Sequence, residues 1–577
     1  MSMRPLRRLP GLLALLTASF ALWPSPGVAR QSERSMASDR TADGTWPMHG
    51  RDAAETRYSP LTQIDAANVN RLAVAWSWDI PKAGARLETT PIVVDGVLYG
   101  TGAMSLVFAL DGRTGRQKWT WDPAIPDRDN GGPRACCGNV NRGVALHGSR
   151  VFVGLLDGRL VALDRNAGTV AWTVQTTTPG EDYTITGAPR IVGDRVVIGN
   201  GGAEYGVRGY VTAYDTETGA QVWRTYTVPG NPAQGFENEA MHRAAATWTG
   251  EWWKIGGGGT VWDGMAWDPD ANLLYIGTGN GSPWNRDHRS PGGGDNLYLS
   301  SILALDPADG RIVWHYQTSP GDDWDYTATQ PLMLLDLPID GRERKVIVQA
   351  PKNGFFYVID RITGEFISAQ PFTKDLTWAT GVDPATGRPI ETPAARYGSR
   401  PEGAWISPGP TGARNWHPMA WSALTGLVYM PAQNSTYLYR RSERIEYRRG
   451  EWNTGTQRGD DSAPPRPAVQ EPANLLLAWD PVANREVWRI PATAGSGGTL
   501  ATAGSLVFWA SGTRLVALDA RTGAELWFAE IGRGPASPVT YLLDGRQYVT
   551  IAAGLGTPAD PQRVWTFALP PATPENH

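Results

Sequence analysis

One string recurs along the chain, A-x-D-x-x-x-G-x-x-x-W, and units of this kind bury their apolar faces only by stacking on one another. It occurs as ALDGRTGRQKW (Ala109 to Trp119), ALDRNAGTVAW (Ala162 to Trp172), AYDTETGAQVW (Ala213 to Trp223), ALDPADGRIVW (Ala304 to Trp314) and ALDARTGAELW (Ala517 to Trp527). Two further copies depart from it. AWDPVANREVW (Ala478 to Trp488) carries Asn484 at the glycine, and VIDRITGEFIS (Val358 to Ser368) ends without the tryptophan. Each copy follows an apolar strand such as LVFAL or RLVAL, and its D-x-x-T-G core predicts a hairpin turn, because Asp and Gly accept turn conformations that other residues resist. The next strand then carries the tryptophan to a packing surface. Strands without helical periodicity, punctuated at intervals of about fifty residues, predict four-stranded blades of an all-β propeller, with room between copies for an eighth blade. Length alone would favour several domains. The repeats argue instead for one, over residues 30–577. Repeat tryptophans such as Trp119, Trp172 and Trp527 are then packing residues rather than functional ones.

Composition removes several classes of function. With 19% charged residues and a formal net charge of −4 there is no basic tract to follow a nucleic-acid backbone. Arg4, Arg7 and Arg8 precede an apolar stretch reaching about Trp23, and Gly27, Val28 and Ala29 follow. Residues 1–29 therefore read as a secretory signal peptide, with the general export route favoured over the twin-arginine one. Its removal leaves a mature charge of −7, and the expected destination is the periplasm, as a protein not integral to the membrane. No G-x-x-x-x-G-K-[ST] loop is present. The seven histidines form no H-x-x-x-H or H-E-x-x-H pair, so structural zinc is not expected. No C-x-x-C-H occurs either, so a redox enzyme of this sequence would pass its electrons to a separate protein.

What remains is a set of polar pieces outside the repeat. These are RLETTP, CCGNVNRG, TITGAP, GGAEYGVRG, GGGGTVWDG, GTGNGSPWN, GDDWDY, PKNG and ARNWHP, and the second holds the only two cysteines, adjacent at 136 and 137. In this order, over essentially the whole chain after residue 29, they resemble the PQQ-dependent quinoprotein alcohol dehydrogenases, of the ethanol type without a haem domain. That family is an eight-bladed propeller whose axial cavity holds pyrroloquinoline quinone (PQQ) and a divalent metal.

The resemblance implies a site residue by residue. PQQ is flat and polyanionic, so it needs cationic and amide donors at its rim, aromatic or sulfur surfaces on its faces and a metal at its reactive edge. By the family pattern Trp262 lies against one face and a Cys136–Cys137 disulfide against the other. Adjacent Cα atoms stand about 3.8 Å apart, shorter than the usual disulfide span of about 4.4 Å or more. Such a bridge closes almost no loop, so it would serve as a rigid sulfur plate rather than a staple. The alternative is a pair of free, buried thiols. Arg142 would face the quinone oxygens, with Glu88, Thr186, Gly201, Gly202, Ala203, Thr260, Lys352, Asn415 and Trp416 completing the shell. Lys352 stands where methanol-oxidising members have Arg. Glu204 and Asn280 would ligate calcium together with Asp325 and the cofactor, and Asp325 would also be the general base while hydride passes to the quinone. Asp322 and Asp323 read as solvated loop acids.

Lanthanide-using relatives have an additional Asp where this chain has Thr327, which favours calcium over a lanthanide. Ser496 replaces a tryptophan of methanol-type members, and that predicts a roomier entrance suited to ethanol or longer primary alcohols. The expected partners are a small alcohol and a separate acceptor such as a c-type cytochrome; a homodimer is compatible with the sequence. A second reading is a non-catalytic propeller scaffold of outer-membrane assembly, which shares the tryptophan repeats but lacks the cysteine pair and the Glu204, Asn280 and Asp325 set.

Overall fold

The computed structural model describes residues 44–571 except 83, 85, 128–129, 458–463, 471 and 493–494. The expected signal peptide and the first residues after it lie outside the described residues. Eight blades of four antiparallel strands follow one another along the chain, as the repeat predicts, and the seventh gains a short parallel fifth strand, Tyr58–Ser59, beside Ser496–Thr502. The first is Ile92–Val94, Val97–Thr101, Val107–Asp111 and Gln117–Trp121. Its opening strand is buried throughout, whereas its fourth is largely open to solvent. First strands therefore line the axis, and those of neighbouring blades touch one another, as Ala145–His147 touches Arg190–Val192 and Arg190–Val192 touches Met265–Asp268. The eighth blade takes three strands from the end of the chain, Val539–Leu543, Arg546–Ala553 and Arg563–Ala568. Its outermost strand, Ala73–Asp79, comes from the beginning, so main-chain pairing closes the ring. No helix among the described residues is long and apolar enough to cross a membrane.

Each letter of the repeat has a visible task. The aspartate caps its turn, Asp164 accepting from the backbone N–H groups of Asn166 and Ala167 at 2.9 and 2.8 Å. The tryptophan reaches the following blade: Trp119 Nε1 donates to the Arg165 carbonyl at 3.0 Å, and Trp172 Nε1 to that of Thr216 at 3.1 Å. The glycine of that following blade lies directly on the ring. Gly168 has φ +70°, and a Cβ there would stand 2.6 Å from the Trp119 indole, so both the backbone and the packing require glycine.

The two irregular copies meet. Ser368, at the missing tryptophan, accepts a 2.8 Å hydrogen bond from the Asn484 amide, which stands at the missing glycine of the next blade. Asn484 also has positive φ, 47°, which Asn tolerates better than most residues. A polar contact thus takes over where indole docking is lost.

Beneath the site, residues 46–59 run across the axis. Trp46 pairs with Val93 of blade one. The Ala53, Ala54, Thr56 and Arg57 carbonyls accept from Trp267, Leu334, Trp421 and Ala501, on the first strands of blades four to seven. This segment floors the channel.

Candidate active site

The connectivity separates scaffold from chemistry. In an antiparallel blade, the loop entering the first strand and the loop joining the second to the third open at one end of the axis; the other turns, including the D-x-x-T-G hairpins, open at the opposite end. Glu88, Arg142, Thr186, Trp262, Asp325 and Trp416 all precede first strands, of blades one to six in turn. Glu204, Asn280 and Lys352 lie between the second and third strands of blades three, four and five. Residues hundreds of positions apart are in this way delivered to one rim.

Arg142 is the hub of one half of the site. Its guanidinium pairs with Glu88 at 2.7 Å, donates to Thr186 Oγ1 at 2.7 Å and lies 4.8 Å over the Trp262 ring. Asp263, which the sequence reading did not single out, stands 3.5 Å from Arg142 Nε. It also links the hub to the channel floor, because Arg190 lies between Asp263, at 4.0 Å, and Glu55, at 2.8 Å. All these charged groups are buried. Asp263 Oδ1 makes no hydrogen bond within the protein.

The other half is acidic. Asp325 Oδ2 and Lys352 Nζ are 3.0 Å apart and buried. Burial raises the Asp325 pKa well above the ordinary carboxylate range, with Glu204 adding to the rise and Lys352 only partly opposing it. For Lys352, burial acts to lower the pKa, but Asp325 and Glu204 outweigh it and hold the amine charged. Asn280 places its amide 3.1 Å from Glu204 Oε1, and the Trp284 indole N–H reaches the same oxygen at 3.4 Å. Rotation of that amide about its last bond would aim its carbonyl oxygen at the same space, as an ion ligand would require. Glu204 owes its position to the Ala203–Tyr205 turn, entered through Gly202 at φ +111°. Gly201, just before, is pinned by paired hydrogen bonds to Thr184.

One expectation needs correction. Asp322 and Asp323 are not solvated; both are buried. Asp322 accepts from the backbone N–H groups of Trp324 and Tyr326, and burial, only partly offset by Arg289, raises its pKa to about 6. Asp323 accepts from the Arg286 N–H at 2.6 Å. Together they shape the turn that presents Asp325 at φ +64°. The two cysteines stand side by side in the reduced state, Sγ to Sγ 2.9 Å, and are exposed to the solvent-filled side of the site. The charges of Glu88, Arg142, Glu204 and Asp325 act on them, which places the pair beside the site. Asn415 directs its amide inward on its own loop, to the Thr411 carbonyl and the Trp416 N–H. Thr327 is occupied by Gln330 and Thr329. Thr260 and Trp416 are buried, with Trp416 stacked on His417 at 4.3 Å.

The arrangement suits a flat anionic ring. Polar groups at the rim are buried, while the broad apolar surfaces, Trp262 and the cysteine pair, are the parts left open. An ordinary protein surface has the reverse distribution. Among the described residues no three His, Cys, Asp or Glu side chains form a metal cage by themselves. Two carboxylates and an amide can nevertheless serve as hard oxygen ligands of an ion whose shell a cofactor completes.

Comparison with known proteins agrees. Residues 46–374 and 480–549 match the family described as PQQ glucose/ethanol/alcohol dehydrogenase, β-propeller domain. The chain is 50% identical to quinohemoprotein alcohol dehydrogenase ADH IIB of Pseudomonas putida, covering 96% of this chain and 79% of that one. It is 46% identical to the 1-butanol dehydrogenase (cytochrome c) of Thauera butanivorans, covering 92% and 78%. The crystal structure of quinohemoprotein alcohol dehydrogenase from Comamonas testosteroni superposes with a TM-score of 0.88 at 48% identity, covering 94% and 83%.

Proposed function

The chain belongs to the PQQ-dependent alcohol dehydrogenase family and is an enzyme acting on alcohols; we propose that it oxidises primary alcohols of ethanol size or longer to aldehydes, in the periplasm. The observation that carries this reading is the buried Asp325–Lys352 pair beside Glu204 and Asn280. When bound, PQQ with a divalent ion supplies the two-electron acceptor and the Lewis acid. Asp325 takes the hydroxyl proton onto its carboxylate, which burial makes a stronger base than a solvated one. Lys352 fixes that carboxylate by a charge-assisted hydrogen bond. Arg142, clamped by Glu88 and Thr186, keeps a fixed positive charge at the rim, where it would stabilise negative charge on a bound quinone. Glu204 and Asn280 would hold the ion, and Trp262 and the cysteine pair, once oxidised, would pack against the ring.

Calcium is the ion, because the residue two beyond Asp325 is Thr327, a neutral group occupied by its own turn. The electrons pass to a c-type cytochrome; a similar protein is named 1-butanol dehydrogenase (cytochrome c). The apolar N-terminal stretch behind Arg7 and Arg8 supports export.

The test is a steady-state screen of purified protein supplied with PQQ, calcium and an artificial electron acceptor across straight-chain primary alcohols. Alcohol-dependent reduction of the acceptor is expected. Its absence with every alcohol, in protein shown by its visible spectrum to be PQQ-loaded, overturns the reading.

A further inference from the structure

The long connection after Tyr437–Tyr439 turns back on itself, Arg441 pairing with Thr456. The arch between them holds three of the site-bearing loops, those of Cys136, Glu204 and Asn280. Arg134, two residues before Cys136, donates to the Gly450 carbonyl. The Asn453 N–H donates to the Glu204 carbonyl at 2.7 Å, and the Tyr447 hydroxyl to that of Tyr205 at 3.2 Å. The loop after Asn280 is held by the Asn285 N–H on the Thr454 carbonyl, 3.2 Å, and by His288 on that of Ser442, 2.8 Å.

At the crown of this arch Trp452 is 53% exposed. An exposed tryptophan is ordinarily free to move, but this one is fixed. Its indole N–H donates to the hydroxyl of buried Tyr205 at 3.1 Å, beside Glu204. Its ring meets that of Trp284 edge-on, centroids 6.1 Å apart and planes at 60°. Trp284 is buried, and its own N–H points to Glu204 Oε1. Two indoles thus form an apolar wedge that begins at a metal-ligand candidate and ends in solvent. Both polar N–H groups are already satisfied, which leaves carbon surface to meet a ligand.

We propose that Trp452 is a specificity-determining residue: with Trp284 it forms the wall along which the tail of the alcohol lies while its hydroxyl reaches Asp325 and Glu204. The preferred substrates are then primary alcohols with an apolar tail of several carbons, because the wall runs outward from Glu204 through Trp284 to Trp452 and a longer tail covers more of it. This inference rests on the proposed alcohol oxidation. The contact is alike in ground and transition states, so its loss falls on KM and leaves kcat for a given alcohol comparatively little changed.

The test measures kcat and KM for ethanol, 1-butanol and 1-hexanol in PQQ- and calcium-loaded wild type, Trp452→Ala, Trp452→Gln and Trp452→Phe. In the Ala and Gln variants the ratio of kcat/KM for 1-hexanol to that for ethanol should fall by about 10-fold, through KM, and the Phe variant should restore most of it. An unchanged ratio in whichever of the Ala or Gln variants folds and turns over ethanol overturns the proposal. Failure of the underlying reading is distinct: there the wild type oxidises none of the three alcohols.

Discussion

Asp325→Asn is the most direct probe of the chemistry, and the structure explains why asparagine is the substitution to make. Asp325 has φ +64°, a conformation in which Asn and Asp are enriched, whereas alanine would add about 1–2 kcal/mol of left-handed strain and blur the readout. Asn keeps the shape and one oxygen. That oxygen satisfies Lys352 at the 3.0 Å now occupied by Oδ2, which turns the NH2 toward the position where the other carboxylate oxygen would receive the proton. An amide cannot accept there. General-base catalysis contributes about 10² to 10⁴-fold, so turnover should fall by that factor, a barrier increase of about 2.7–5.4 kcal/mol at 1.36 kcal/mol per decade. PQQ loading is read by absorbance and turnover by acceptor reduction at saturating alcohol. A deuterated alcohol checks that the chemical step limits the rate. Turnover within about tenfold of wild type in PQQ-loaded Asp325→Asn, below the range for a lost base, would refute the assignment, and so would lost PQQ loading as the main defect.

The exported protein should weigh two hydrogens less than its reduced form, since Cys136 has only Cys137 to pair with; two freely alkylated thiols in active enzyme would remove the sulfur plate. Chelator-stripped wild type should regain activity with PQQ and calcium, and Thr327→Asp should shift the preference toward lanthanum, because an anionic ligand suits a trivalent ion. Recovery of the wild type with lanthanum but not calcium would end that argument. For the scaffold, Gly193→Ala, where φ is +61° and nothing lies within 4 Å of the new carbon, should cost about 1–2 kcal/mol. Gly168→Ala, whose Cβ would enter the Trp119 ring, should cost about 1–3 kcal/mol more from overpacking. Equal urea midpoints for the two variants would show that indole docking does not demand glycine.

The blades were legible because each repeat letter has a task fixed by its own turn or by the next blade, and the same string therefore recurs. The eighth blade escapes this code. Its outer strand holds Trp76, which donates to the Gly112 carbonyl at 3.2 Å and lies under Gly115 as the other tryptophans lie under theirs. Its partner strands, however, are at the opposite end of the chain, so no contiguous string marks it. At the site, the residues named from the sequence do gather at one rim, but their pairings were not legible. That Lys352 meets Asp325, or that Asp263 backs Arg142, depends on side-chain directions across different blades. Asp322 and Asp323 misled because adjacent acids look hydrophilic; the backbone N–H groups that receive them exist only in the folded turn. The Ser368 and Asn484 departures looked like independent lapses in sequence and are one contact in space.

The floor beneath the site has a consequence for assembly. Residues 46–59 emerge early from the ribosome, yet the strands they bind belong to blades as late as the seventh, and Ala73–Asp79 waits for strands ending at Ala568. Blades one to four can form hairpin by hairpin during synthesis. The chamber itself remains without a base until nearly the whole chain is available, and Arg190 and Asp263 remain without the Glu55 end of their charge relay. Closure of the chamber therefore comes last, when the two ends of the chain find each other.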